Sequence, residues 1–215
     1  MADWVLAAER AYVAAAVGPA AGTPAEPADV PAPRVLMCAD WLADVPAADR
    51  RAHALAAAGA VASRYLAVGT PRSFGIVIDE AADVAAAALS LVAHRTWFAP
   101  RDIRCASTAT SATELAAATS GRAVSLDEAL ACDIVNVYSP RIRITPSQLR
   151  RGTHVNAVAA STFDPELLAI ATLVPEAGLP ALAAGLVDGR QLDELTIFVI
   201  DGVATAAVAA MSDHP

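Results

Sequence analysis

An apolar run, Ser73-Phe-Gly-Ile-Val-Ile78, passes directly into an alanine-rich helical stretch that continues to His94, and the same alternation recurs to the end of the chain. Short runs of β-branched residues, each followed by a helical pattern, build a parallel sheet with helices on its faces. The first strand-to-helix turn is the informative one. It carries Asp79 and Glu80 where a dinucleotide-binding turn carries glycines, which bring backbone N–H groups and a helix N-terminus up to a pyrophosphate. Asp79 is expected to cap the helix itself, and two carboxylates there repel a phosphate. The chain reads as a Rossmann-type unit whose phosphate site has been lost.

The alternation continues with strands at 103–106 and 122–124, helices at 112–119 and 126–131, and a strand at 133–138. Ser125-Leu-Asp-Glu128 is a capping box, Thr145 to Gly152 a short capped helix, and Thr153 to Ala159 a further strand. Asp164-Pro-Glu opens another helix, followed by helix 180–187, strand 196–200 and a last helix over 203–211. Upstream, residues 2–17 form an amphipathic helix with Glu9 and Arg10 outward, and 18–33 hold a proline every few residues, as an extended tether does. A short strand at 34–38 and a long helix over 47–67 follow. The expected class is α/β: residues 1–50 hold the N-terminal helix, tether and a small additional segment, and 51–212 the Rossmann-like domain.

A chain of 215 residues, 56% hydrophobic but only 5% aromatic, supports one such domain with an aliphatic core. The net charge of −8 argues against nucleic acid or an anionic membrane as partner. Every basic residue is arginine, so lysine Schiff-base chemistry is excluded. Cys38, Cys105 and Cys132 lie far apart and read as reduced thiols. His53, His94 and His214 have no metal-ligand spacing, and no G-x-S-x-G elbow accompanies the serines. The N-terminal residues lack a basic leader and an apolar span, so a cytoplasmic protein is expected.

Several segments resemble the ornithine cyclodeaminase and mu-crystallin family in order and spacing: Arg64-Tyr-Leu-Ala67, Arg72 to Val77, Ser125 to Leu130, Cys132 to Val135, Gly152-Thr-His-Val-Asn-Ala-Val158, Asp164 to Leu167 and Asp193-Glu-Leu-Thr-Ile-Phe198. The resemblance implies an NAD(P)-dependent dimer that oxidises an amino acid or reduces an imine, with a separate domain for substrate and dimerisation. This chain departs from the pattern at the working positions. The glycine turn is replaced by Asp79 and Glu80, and the arginine for the substrate carboxylate falls at Ala54. The catalytic aspartate aligns near Ser161, the strand-end glycine is Ala159, and the catalytic lysine has no counterpart. The family's substrate domain shrinks to about residues 30–49.

The sequence therefore supports a degenerate family member that binds no cofactor or metal and serves as a binding, structural or regulatory subunit, as a homodimer or with a related enzyme. The alternative is an NAD-independent enzyme or binder of an amine- or amino-acid-derived metabolite in the old cleft. Its candidate catalytic residues are Asp79, Glu80, His154 and Ser161, and its candidate cleft residues Tyr138, Ser139, His154 and Asn156. His154 and Asn156 share a strand face and can equally serve as hydrogen-bonded core. Arg141, Arg143, Arg150 and Arg151 form a basic cluster that either holds an anion or pairs with surface carboxylates.

Overall fold

The computed structural model describes residues 2–17, 45–108, 112–187 and 193–200. Strands β1 Ser73–Ile78, β2 Asp102–Ser107, β3 Arg122–Ala123, β4 Ile134–Val137, β5 His154–Ala157, β6 Thr172–Pro175 and β7 Thr196–Val199 form one sheet in the order β3-β2-β1-β4-β5-β7-β6. Every neighbouring pair is parallel. Helices α1 Asp3–Val17, α2 Ala47–Leu66, α3 Val84–His94, α4 Ala112–Thr119, α5 Leu126–Leu130, α6 Pro165–Ile170 and α7 Leu179–Ala183 flank it. This is the Rossmann-like architecture the alternation predicts. Strand order reverses between β1 and β4, so their C-terminal ends frame the crevice in which open parallel sheets receive ligands.

Burial on both faces explains the unbroken apolar run of β1. Phe74, Ile76 and Ile78 pack with Leu91 of α3 and Leu115 of α4, whereas Val77 joins Val135, Val155, Ile197, Leu130 and Leu167 on the other face. Gly75 is dictated by contact: a Cβ there would stand 2.1 Å from the Ala129 carbonyl oxygen, so α5 can sit this close only over a glycine. Along α2, Ala57, Ala58, Val61, Ala62 and Leu66 pack with Leu179, Leu182 and Phe198, the small side chains allowing close approach.

Helix α1 docks on the same surface through Ala8 and Tyr12, while Val5 packs with Ala56 and Ala60. Glu9, expected to face outward, instead accepts hydrogen bonds from Arg64 and Tyr65. It stands one helical turn beyond the buried Val5, at the rim of the docked stripe. The Arg64 guanidinium also lies 5.1 Å from the Trp97 ring centroid. Arg10 is exposed, as expected.

The capping box of Ser125 and Glu128 is present, and Asp164 caps α6 through the Glu166 N–H. The segment after Thr145 is shorter than expected, a single 3-10 turn at Pro146–Gln148, before Gly152 turns the chain at φ 85°. Strand β6 was not anticipated. Its run ends in Pro175, which would interrupt an internal strand but is tolerated here because β6 is an edge, paired with β7 alone. The proline-rich tether, the strand at 34–38, most of segment 30–49, the helix at 203–211, Cys38 and His214 lie outside the described residues. No helix among the described residues is long and apolar enough to cross a membrane.

Candidate functional site at the sheet switch point

Asp79 follows β1 immediately and is 4% exposed. It does not cap the helix. Glu80 instead caps the 3-10 turn Ala81–Asp83 that leads into α3, in a capping box in which its side chain takes the Asp83 N–H and the Asp83 carboxylate takes the Glu80 N–H. Asp79 meets residues that follow the neighbouring strands, Thr108 after β2 and Ser139 after β4. The Thr108 hydroxyl donates to its Oδ1, its Oδ2 is buried, and the Ser139 hydroxyl and Arg141 N–H also serve the carboxylate. Burial raises the carboxyl pKa, but the Ser139 and Thr108 hydroxyls and the charge of Arg141 outweigh that and hold it below the ordinary value. Asp79 is thus an ionised carboxylate at the switch point.

Ser139 arrives at the same place from the end of β4. It is fully buried, and its Oγ accepts the N–H groups of Arg141 and Ile142, both at 3.2 Å. That turn carries Arg141 back across the crevice, where its guanidinium donates to Glu80 at 2.6 Å. Glu80 itself is exposed. The structure therefore brings Asp79, Glu80 and Ser139 together with Arg141.

His154 and Asn156 lie elsewhere, on the sheet face beneath α2 and α3, in a polar network whose members are at most 3% exposed. His94 Nδ1 donates to the Ser90 carbonyl at 2.8 Å, which leaves Nε2 to accept the Ser63 hydroxyl at 2.9 Å. Asn156 Nδ2 donates to Ser63 Oγ at 2.9 Å and to Asn136 Oδ1 at 2.8 Å. Its Oδ1 accepts from His154 Nε2 at 3.0 Å, and His154 Nδ1 then accepts the Thr196 hydroxyl at 2.8 Å. Asn136 in turn donates to Ser90. The strand alternation correctly placed His154 and Asn156 on one face; what it did not reveal was that Ser63, Ser90, His94 and Asn136 meet them there. Burial pushes His94 down to about 4 and the phenol of Tyr138, whose hydroxyl lies 3.5 Å from the Ala86 carbonyl, up to about 12.

Ser161 is exposed on the 3-10 turn Ala160–Thr162, whose Thr162 hydroxyl donates to the Ser139 carbonyl, and Ala54 is buried in α2. Of the basic cluster, Arg141 pairs with Glu80, Arg143 with Asp164 and Arg150 with Asp133, as solvated surface arginines do. Cys105 and Cys132 are buried free thiols, and burial drives Cys132 up to about 11. No group of His, Cys, Asp and Glu among the described residues could hold a metal ion.

The fold and crevice define a Rossmann-like α/β protein with a carboxylate at its switch point. Its fold is shared with ornithine cyclodeaminase-like enzymes. An archaeal alanine dehydrogenase dimer with bound NAD superposes with a TM-score of 0.61 at 23% identity, over 75% of this chain and 64% of that one. The Δ1-pyrroline-2-carboxylate reductase of Thermococcus litoralis, in complex with NADH and L-proline, gives 0.62 at 20% identity, over 77% and 63%. A probable ornithine cyclodeaminase from Bordetella pertussis Tohama I gives 0.60 at 19%, over 80% and 65%. This chain thus spans less than two thirds of each of those chains, and at these identities the likeness is one of fold. No protein-family model and no curated protein sequence matches it.

Proposed function

We propose that this chain is a non-catalytic relative of the NAD-binding cyclodeaminase-like enzymes, acting in the cytoplasm as a binding, structural or regulatory subunit, either as a homodimer or beside a related enzyme. The observation that carries the reading is the turn after β1. The 3-10 turn that leads into α3 is closed by the carboxylates of Glu80 and Asp83, and the strand end is occupied by the ionised Asp79. A pyrophosphate needs open N–H groups and positive potential, and meets neither here. Ala54, Ser161 and the lack of lysine support the same reading, because positioned charged groups are what stabilise a transition state.

Titration calorimetry of the purified protein against NAD+, NADH, NADP+ and NADPH tests this, with the solution mass measured on the same sample. The expected result is no binding tighter than about 100 µM. Tighter binding of any of the four would overturn the reading. A second reading, an NAD-independent binder of an amine-derived metabolite in the same crevice, is favoured by the buried, ionised carboxylate of Asp79 at the switch point.

A further inference from the structure

We infer that the N-terminal end of the sheet, opposite the switch-point crevice, is a docking surface for a short, extended acidic segment of a partner protein, read by a row of arginines at the strand starts. The inference names the partner chemistry for the binding role proposed above and rests on that role, but on none of the crevice residues.

The row follows from strand order. Arg122 opens β3, Arg101 precedes β2, Arg72 precedes β1, and Arg150 and Arg151 lead into β5, so parallel pairing across β3-β2-β1-β4-β5 brings these entry residues to one end. Neighbouring starts are tied together. The Arg72 carbonyl accepts the Arg101 N–H at 2.8 Å, and Asp133, just before β4, accepts the Arg72 N–H at 2.8 Å and the Arg150 guanidinium at 3.3 Å. Helix α3 returns to the same end and stops at Arg95. With strands about 4.8 Å apart, the row from β3 to β5 spans roughly 19 Å, the length of about six extended residues.

The carboxylates near the row are already engaged. Asp102 is shared by Arg104 at 2.6 Å and Arg122 at 3.2 Å, Asp133 holds Arg150, and Glu128 is held in its capping box by Ser125. Arg72, Arg95, Arg101 and Arg151 are exposed, and none of them has a carboxylate partner among the described residues. The chain has 23 acidic and 15 basic residues, so free guanidinium groups gathered at one end run against its overall sign. Each presents a planar fork that matches a carboxylate.

Reach selects the occupant. A nucleic acid or an anionic membrane extends past the row and meets the acidic remainder of the chain, starting with Asp193 and Glu194 before β7. A segment of about six residues stays within roughly a Debye length of the arginines, about 10 Å at 0.1 M salt. The rings between Arg95 and Arg101 are engaged as well: Phe98 stacks on His94 and Trp97 carries the Arg64 guanidinium, so neither serves as a platform for bases.

The test titrates the full chain into a fluorescein-labelled octaglutamate peptide at about 25 mM salt, read by anisotropy, with amide chemical shifts locating the contact. The expected result is saturable binding with a Kd of about 1 mM or tighter, at least roughly fivefold weaker at about 150 mM salt, with shifts at Arg72, Arg101 and Arg151. The triple variant Arg72→Gln, Arg101→Gln, Arg151→Gln should weaken it at least roughly tenfold. The pair Arg51→Gln, Arg143→Gln, at exposed positions outside the row, should stay within about twofold of the parent. No saturable binding, undiminished binding in the triple variant, or equal weakening in the control pair would each overturn the inference. So would equally tight binding of an octathymidylate or of vesicles of phosphatidylcholine and phosphatidylserine in a three-to-one ratio. NAD+ is titrated alongside: its binding would sink the function reading, whereas silence toward both peptide and NAD+ would remove the arginine surface alone.

Discussion

Asn156 on β5 donates to Ser63 on α2 at 2.9 Å while its second amide hydrogen reaches Asn136 on β4 at 2.8 Å, so one side chain ties two strands to the helix above them. These polar atoms are turned onto one another under α2 and α3.

Asn156→Leu is therefore expected to destabilise the fold by roughly 2–4 kcal/mol, because it strands buried partners on His154, Asn136 and Ser63. Urea unfolding should show a lower midpoint with an unchanged slope. A midpoint equal to that of the parent chain would mean that the network is dispensable.

His94 makes stability depend on pH in a defined window. Its folded pKa of about 4 lies below the ordinary 6.5, so the unfolded chain binds the extra proton first. Stability is unaffected above pH 6.5, falls as pH drops toward 4, and levels off below that, a loss of roughly 3 kcal/mol in all. Comparing urea midpoints of the parent and His94→Gln between pH 7.5 and 4.5 isolates this contribution. The variant should show the shallower dependence, and parallel profiles would rule the assignment out.

Gly75→Ala places a methyl group 2.1 Å from the Ala129 carbonyl, which is backbone and cannot rotate away. The expected cost is about 3 kcal/mol or failure to fold, read as a lowered melting temperature or loss of soluble protein. Gly69, whose added Cβ would meet nothing within 4 Å, is a poor control because its φ of 62° strains any other residue. Gly59→Ala is better matched, since its nearest contact is an ordinary 3.5 Å from Asn156.

Removing residues 1–17 should uncover the apolar surface formed by Ala58, Val61, Leu179 and Leu182, against which Ala8 and Tyr12 pack. The truncated chain is expected to self-associate and to bind a hydrophobic dye. Light scattering that shows the same mass for both chains would argue that α1 is an appendage rather than a cover. Glu9→Gln alone should change stability by less than about 1 kcal/mol, because Arg64 is 41% exposed and its ion pair is screened.

Much of the framework was legible along the chain. The apolar run of β1, the capping box at Ser125, and the alternation that sets His154 and Asn156 on one face are local patterns that survive in the structure. Strand β6 escaped because its cue is four residues ending in proline, and an edge strand, bonded on one side, needs little pattern to form. The cap expected at Asp79 falls at Glu80, on the 3-10 turn that precedes α3, because carboxylates stand at adjacent positions and composition does not distinguish them.

Local pattern thus settled the α/β class, most of the strand-helix alternation and the acidic turn, since these follow from backbone preference and from burial of apolar residues at fixed periods. Which polar groups meet was decided by packing alone. Ser63, His94, Asn136 and Asn156 come from four separate elements, and nothing in their spacing marks them as neighbours. Likewise Asp79, Ser139 and Arg141 converge only because β1 and β4 lie side by side across the reversal in strand order, which brings residues distant in the chain to a common strand end.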